Sequence, residues 1–579
     1  MALELRGRAA SNGIGIAPVY VVDKPDLSFE KQRISDPAGE VKRFRNSLLA
    51  VKNELLDLRK EAAAKLSNDE LAIFDVHIEI LDDPELINQV VTRIRSQRIN
   101  AESAFDEVIS RVIKEFQEMT GNKYMQERAT DFASIKDQVL AKLEGKKLPN
   151  IAAINHPVII VAHMIGPSDT SRMNTKYVKG IVTEVGGQTS HAAIMARALQ
   201  IPAIVGGKNV VSRVTNNERM IVDGFSGIAI GEPSENQIKS YRELAAKYAN
   251  EKANWERLLN SPSVTADGKQ FAISANIGTP NDISSAVKNG TDGVGLFRTE
   301  FLYMKSEHLP SEEEQLEAYK EAIQQLGDNG MVVRTLDIGG DKPLTYMPLP
   351  QERNPFLGYR AIRISLDRSE MFRTQLRALI RASQYGKINI MFPMVTTLDE
   401  LQKAKKVYYE ELAKVQKDEP TLGQDIKLGI MIEVPMAALG AKYLAKEVDF
   451  FSIGTNDLIQ YCFAADRGNE AVSYLYQPLD PSFLRLLNHI IKSGHENGTT
   501  VAMCGEMAGD RLALPLLIGM GLDEYSMNSS SILRTRSMMK NLDVKKCQEL
   551  YKDVVSKCET AEEVHEFVEE WLTKSKVQG

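Results

Sequence analysis

The residues able to do chemistry in this chain stand where apolar runs stop. In GLFRTE the run stops at Arg298; RTLDIGGDK carries Arg334, Asp337 and Lys342; MIEVP carries Glu433; SIGTNDL carries Asn456 and Asp457; AMCGEM carries Cys504. Arginines bring permanent charge and forked donors, which suit a small ligand bearing phosphate and carboxylate. Glu433 and Asp457 are hard oxygen donors with two readings. They hold Mg2+, whose other positions go to water and substrate oxygens, or they pair with the arginines as ion bridges. A thiol of ordinary pKa, about 8.5, is mostly protonated at neutral pH, so Cys504 has the form of an acid; its other reading is an inert, buried, small apolar residue. Arg467 in ADRGNE and Arg360 in GYRAIR lie beyond the runs, where pairing with surface acids would equally explain them.

A second constellation is GGQTSHAAIMARAL, residues 186–199, which places His191 at the first turn of a helix behind two glycines and the hydroxyls of Thr189 and Ser190. A neutral imidazole is a competent nucleophile near pH 7, and a phosphoryl group on it would sit in the field of the helix N-terminus. The plainer alternative is an imidazole that caps the helix and packs on a sheet. Thr170 in PSDT offers a further hydroxyl from a nearby loop. The other histidines (His77, His156, His163, His308, His489, His495 and His565) lack such a setting and read as structural or exposed.

These groups need rigid elements behind them, and 579 residues provide room for several domains at roughly 150 residues each. With 43% hydrophobic and 26% charged residues the chain has the composition of a folded globular protein. Lys plus Arg number 71 against 78 Asp plus Glu, a net charge of −7 that argues against nucleic acid held by bulk charge. The stretch nearest to a membrane span, residues 151–166, is interrupted by Asn155, His156, Pro157 and His163, too polar for about 30 Å of hydrocarbon. MALELRGRAA has no apolar signal core, so a cytoplasmic location without membrane insertion is expected. Cys462, Cys504, Cys547 and Cys558 show no CxxC spacing and are expected to be thiols.

Residues 13–23 read as a strand, after which the pattern turns helical. Asp36 with Pro37 opens a first helix, Ser67 with Glu70 has capping-box spacing for a second, Asp83 with Pro84 starts a third, and Asn100 is placed to cap a fourth. The acidic stretch between Lys65 and Arg93 is either a solvated face or a docking surface for a basic partner. Strand character returns at 158–162, 181–185, 203–205 and 220–222. The expected organisation is an α/β domain from 1–23 and 146–232, a helical bundle inserted at 24–145, a helical linker at 233–260 and a last domain at 261–579. That last domain shows eight short β runs, 271–277, 293–298, 331–337, 388–394, 428–433, 449–453, 499–504 and 523–527, alternating with amphipathic helices. This is the pattern of a (β/α)8 TIM-type barrel, whose chemistry collects at the C-terminal ends of its strands.

In the segments GGQTSHAAIMARAL, DGVGLFRTEFLYM, RTLDIGGDKPL, NPFLGYRAIR, MFPMV, FSIGTNDLIQY, ADRGNE and CGEMAGD, the chain closely resembles the Enzyme I family of the bacterial phosphoenolpyruvate-dependent sugar phosphotransferase system. The resemblance covers nearly its whole length. It implies a swivelling α/β phosphohistidine domain, with His191 taking a phosphoryl group from phosphoenolpyruvate and passing it to a histidine of the carrier protein HPr. It further implies that Arg298, Arg334, Asn456, Asp457 and Arg467 bind substrate, that Glu433 and Asp457 hold Mg2+ or Mn2+, and that Cys504 protonates the enolate to give pyruvate. The helical insert should then dock HPr and the barrel should form a homodimer. Two departures stand out. Where the family usually has an acidic residue followed by Asp-Leu-Thr-Pro, this chain has His163-Met164-Ile165-Gly166-Pro167, and Gly468 replaces a common methionine beside Arg467.

Two rivals are weighed against this. An ATP-using relative, such as a pyruvate phosphate dikinase or phosphoenolpyruvate synthase, would need a large nucleotide domain, yet only helical residues stand there, without GxxxxGK[ST]. A phosphoenolpyruvate sensor without turnover would need neither His191 nor Cys504. With His191 in one domain and the anion site in another, turnover calls for a large swing, with hinges expected near residues 145 and 232 and around the linker.

Overall fold

The structure, a computed structural model, describes residues 3–22, 27–62, 77–118, 123–146, 149, 151, 154–165, 173–187, 190–304, 306, 308–339, 344, 346–350, 352–466, 469–575 and 577. The chain divides into two compact units, Met1–Arg242 and Glu243–Gly579.

The first unit holds one eight-stranded sheet: β1 (Leu3–Arg6), β2 (Arg8–Ser11), β3 (Ile14–Val22), β4 (Val158–Ala162), β5 (Val178–Thr183), β6 (Ala203–Val205), β7 (Arg219–Asp223) and β8 (Ile228–Gly231). Its order is β1-β8-β7-β3-β4-β5-β6-β2, with β3 to β6 parallel and the outer pairings antiparallel. The sequence reading misses β1, β2 and β8, each four residues long and the first two interspersed with charge. It also starts β5 three residues late, because exposed Lys179 interrupts the apolar run.

Between β3 and β4 the chain forms helices Pro37–Ala62, Pro84–Gln97, Ala101–Glu118 and Lys123–Leu143 around a core that includes Phe44, Val90, Ile94, Phe105 and Ile135. Asp36 accepts from the Ala38 and Gly39 amides and Asp83 from those of Glu85 and Leu86, as the cap residues require. The Ser67–Glu70 pair lies outside the described residues. Asn100 corrects the expectation for its helix. Its side chain accepts from the Gln32 amide and donates to the Glu30 carbonyl and to Glu102, while the first helical amide, that of Ala101, donates to Glu40. The cap is supplied across the bundle. Arg43 then joins Glu40 to Glu102 at 2.7 and 2.8 Å. Of the acidic stretch, Asp82 is paired with Lys52 at 2.6 Å.

The second unit contains a closed barrel of eight parallel strands: β9 (Ala272–Ile277), β10 (Val294–Arg298), β11 (Met331–Arg334), β12 (Ile388–Phe392), β13 (Leu428–Ile432), β14 (Phe450–Ile453), β15 (Thr500–Met503) and β16 (Glu524–Met527). Every one of the eight β runs read from the sequence contains one of these strands. Arg536, 1% exposed, fixes the chain entering the barrel. Its guanidinium donates to the Leu258, Leu259 and Gly290 carbonyls, to Ser263 and to Asp292. Among the described residues no helix is long and apolar enough to cross a membrane.

Outside the barrel, Glu411 on helix Leu398–Asp418 is wholly buried and accepts from Arg373, Arg377 and Lys414 at 2.5, 2.8 and 2.8 Å. Burial works to raise its carboxyl, but the bonds from Lys414, Arg377 and Arg373 prevail and lower it from 4.5 to about 2. A depressed carboxyl stabilises the fold fully above its unfolded value and loses that contribution as pH falls toward the folded one. The shift corresponds to about 3 kcal/mol. Glu411→Gln should therefore lower barrel stability by about that amount at pH 7 in urea titrations, and the difference from the parent should shrink between pH 4.5 and pH 2.

Candidate active site

The register of β10 on β11 places Arg298 directly beside Arg334 at the C-terminal rim of the barrel. Two like charges side by side are costly unless anions share the site. Arg334 is buried and pairs with Glu300 and with Asp337, the latter at 2.9 Å. Asp337 also binds Arg360 at 3.0 Å. Burial disfavours both guanidinium charges, yet the surrounding carboxylates, Asp337, Asp457 and Glu433 for both and Glu300 for Arg334, outweigh it and push the pKa values up. The reading of Arg360 as a partner of surface acids is thus corrected. It is 4% exposed, lies over the Phe356 ring and donates to Tyr461, whose hydroxyl in turn donates to the Phe356 carbonyl.

With the arginines turned to Glu300 and Asp337, the predicted carboxylate pair is left with unused oxygens. Glu433 is fully buried at the end of β13; its Oε1 accepts from the Met394 amide at 2.7 Å, while its Oε2 has no hydrogen-bond partner among the described residues. Asp457 Oδ1 likewise has no hydrogen-bond partner among the described residues, and its one ion pair there is the long one to Arg360, at 3.8 Å. Burial, then Asp457 and Asp337, raises the Glu433 carboxyl well above the usual carboxylate range, against the pull of Arg334 and Arg360. Two buried carboxylate oxygens without hydrogen-bond donors among the described residues fit a hard divalent cation, which would replace the missing donors. Backbone strain gathers here too: Ala361, Met394 and Ala464 have φ of 52°, 55° and 50°, the left-handed region that residues with a Cβ avoid. For Met394 that conformation accompanies the amide's bond to Glu433.

Helix Thr455–Cys462 follows β14 and carries Asn456 and Asp457 in its first turn. Asn456 Oδ1 accepts from the Glu506 amide at 3.2 Å and from Tyr476 at 3.4 Å, tying this turn to the segment after β15. There Cys504 is buried, its amide bonded to the Ile453 carbonyl and its own carbonyl accepting from Asn276 at 2.8 Å. A Cβ on Gly505 would lie 1.8 Å from Thr455 Oγ1, so only glycine allows this approach. Burial lifts the Cys504 thiol to about 11, Ser452, Arg334 and Arg298 opposing and Glu433 reinforcing the shift. The thiol is therefore in its acid form at neutral pH.

On the first unit, His191 is the first residue of helix His191–Ala198, after Gly186 at φ 122°. Ser190 caps it, Oγ accepting from the Ala193 amide at 3.4 Å. The His191 side chain, Thr189 and Thr170 lie outside the described residues, as do Arg467 and Lys342 of the barrel loops. In the departing segment, His163 Nδ1 is 2.7 Å from Glu184 Oε2, and Glu184 Oε1 accepts from the Val211 amide.

Three family descriptions match the chain in order: the N-terminal part of PEP-utilising enzymes over residues 6–128, their mobile domain over 154–227 and their PEP-binding domain over 252–544. A phosphoenolpyruvate-protein phosphotransferase of Latilactobacillus sakei is 50% identical over 98% of this chain and 99% of its own length. The chain belongs to the phosphoenolpyruvate-protein phosphotransferase family. A family member from Listeria innocua is 50% identical over 99% of this chain and 100% of its own. A solution structure of an Enzyme I protein is 33% identical, covers 42% of this chain and 99% of its own, and superposes with a TM-score of 0.36.

For a phosphotransferase of this family, the strand ends bring together Arg298, Arg334, Glu433, Asn456, Asp457 and Cys504. The sequence reading leaves out Glu300, the Met394 amide and Tyr461, and notes Asp337 without a role. Glu300 had a signal, an acid two residues past a strand-end arginine. The Met394 amide had none.

Proposed function

We propose that this chain takes the phosphoryl group of phosphoenolpyruvate onto its own His191, releases pyruvate, and passes the group to a histidine of the carrier HPr. The observation that carries this reading is the pair of buried carboxylate oxygens without hydrogen-bond partners among the described residues, set against Arg298 and Arg334 at one rim with an acid-form thiol. Arg298 and Arg334, with Asn456 and Arg467, hold the substrate's carboxylate and phosphate, and Glu300 and Asp337 keep the Arg334 fork aimed. Phosphoryl transfer proceeds through a loose transition state that needs in-line positioning and charge compensation, which fixed guanidinium groups provide. Glu433 and Asp457 would hold Mg2+ or Mn2+, which would supply Lewis-acid compensation of the charge that develops during transfer. Cys504 then gives its proton to C3 of the enolate.

The imidazole is carried on the first unit, so it must enter the barrel mouth to be loaded and leave it to meet HPr, for which the helical insert is the docking surface. Exposed Met436, Leu439 and Tyr443, on short helices after β13, suit burial between two barrels in a homodimer. A cytoplasmic setting accords with the substrate. The test is incubation with labelled phosphoenolpyruvate and Mg2+, followed by mapping of the acid-labile label. One phosphoryl group on His191 with equimolar pyruvate, blocked by a chelator, is expected; label on another residue overturns the proposal.

A further inference from the structure

Cys504 sits inside the barrel among Leu296, Met391, Met431 and Phe450, its thiol 3.8 Å from the Ile453 carbonyl. On the reading above, the S–H bond breaks when the enolate is protonated. Its electron pair stays on Sγ, the enolate π pair forms the new C–H bond at C3, and the enolate oxygen becomes the pyruvate carbonyl. A carbonyl that suits S–H repels the thiolate left behind. The charged groups felt at Sγ are Arg334, Arg298 and Glu433, two attractive and one repulsive.

Beside the thiol is the hydroxyl of Ser452. Ser452 on β14 is in register with Ala502 on β15, and Ile453 with Met503. Strand alternation therefore puts Ser452, Ala502 and Cys504 on the same, barrel-facing side as Phe450. Ser452 is 1% exposed, and apart from its influence on the Cys504 thiol its Oγ has no hydrogen-bond partner among the described residues. Barrel interiors ordinarily place Val, Ile or Leu at such positions, and a buried unpaired hydroxyl costs stability. Its influence on the thiol already favours the charged form.

We propose that Ser452 is a positioning residue whose hydroxyl donates a hydrogen bond to the thiolate formed as Cys504 protonates the enolate. The inference rests on the reading of Cys504 as that acid. By microscopic reversibility the same thiolate removes a proton from the methyl group of pyruvate, so the full-length protein with Mg2+ should exchange pyruvate's methyl hydrogens with D2O. Ser452→Ala should slow this exchange about tenfold, the equivalent of one unit of thiol pKa, while leaving thermal stability unreduced. Ser452→Thr, which keeps the hydroxyl, should restore the rate. With Cys504→Ala inactive in exchange, a Ser452→Ala rate equal to the parent's, or a Thr variant as slow as Ala, overturns the inference. Exchange that persists in Cys504→Ala defeats instead the reading of the thiol on which it rests.

Discussion

Glu433→Gln is expected to cut pyruvate release from phosphoenolpyruvate by about a thousandfold or more, a loss of about 4 kcal/mol of transition-state stabilisation, while the barrel melts no lower than the parent. The two halves of this expectation have one cause. The carboxyl is buried, its Oε2 lacks a donor among the described residues, and burial together with the like charges of Asp457 and Asp337 pushes its pKa well above the usual carboxylate range. The amide side chain introduced by Glu433→Gln would keep an oxygen for the Met394 N–H and remove the cost that burial imposes on a carboxylate. Function requires the opposite, since a neutral amide cannot hold a divalent cation against water as a carboxylate does. Stability given up at one residue for chemistry is a common arrangement in active sites. Initial rates over a range of Mg2+ concentrations, with calorimetric melting of the same samples, check both halves. A variant that keeps parental rates, or one that loses stability along with activity, contradicts them.

Cys504→Ala carries the second large effect. General acid catalysis contributes about 10²- to 10⁴-fold, and pyruvate release should fall within that range with the substrate's KM little changed. The wild-type pH profile is diagnostic as well. An ordinary thiol, at about 8.5, would lose its proton across mildly alkaline pH, whereas burial lifts this one to about 11. The acid form is required and is lost only as pH rises through that higher value, so no thiol-linked fall in kcat/KM is expected between about pH 8 and 10. A fall centred near 9 would show that the thiol is not held in this environment. The Cys504→Ala variant should fold, because alanine fits among the apolar neighbours of Cys504 and leaves its backbone bonds to Ile453 and Asn276 intact.

What was legible in the sequence follows from what each signal costs to disguise. The barrel strands are apolar runs bounded by glycine, proline and charge, and parallel strands buried on both faces cannot be written otherwise. Arg298, Glu433, Asp457 and Cys504 stand out because each interrupts such a run at its end. Glu300 was hidden by its place in the first turn of helix Glu300–Met304, where an acidic residue is ordinary. Arg360 was hidden in a loop, where the rules of charge pairing give no depth. Only the folded loop shows it buried against Asp337 and Tyr461. Met394 shows the limit of residue-type reasoning, because its contribution is a backbone amide and a left-handed φ. Strands β1 and β2 fail for a related reason. They pair at the edges of the first sheet, where tertiary contact stabilises sequences with little strand character of their own.

The most direct test concerns His191 itself. Purified full-length protein bearing His191→Ala, supplied with labelled phosphoenolpyruvate, Mg2+ and an HPr acceptor, should transfer no label to the acceptor, while the same variant still binds phosphoenolpyruvate at the barrel as the parent does. Label reaching the acceptor at the parental rate would show that the phosphoryl group does not travel on this imidazole.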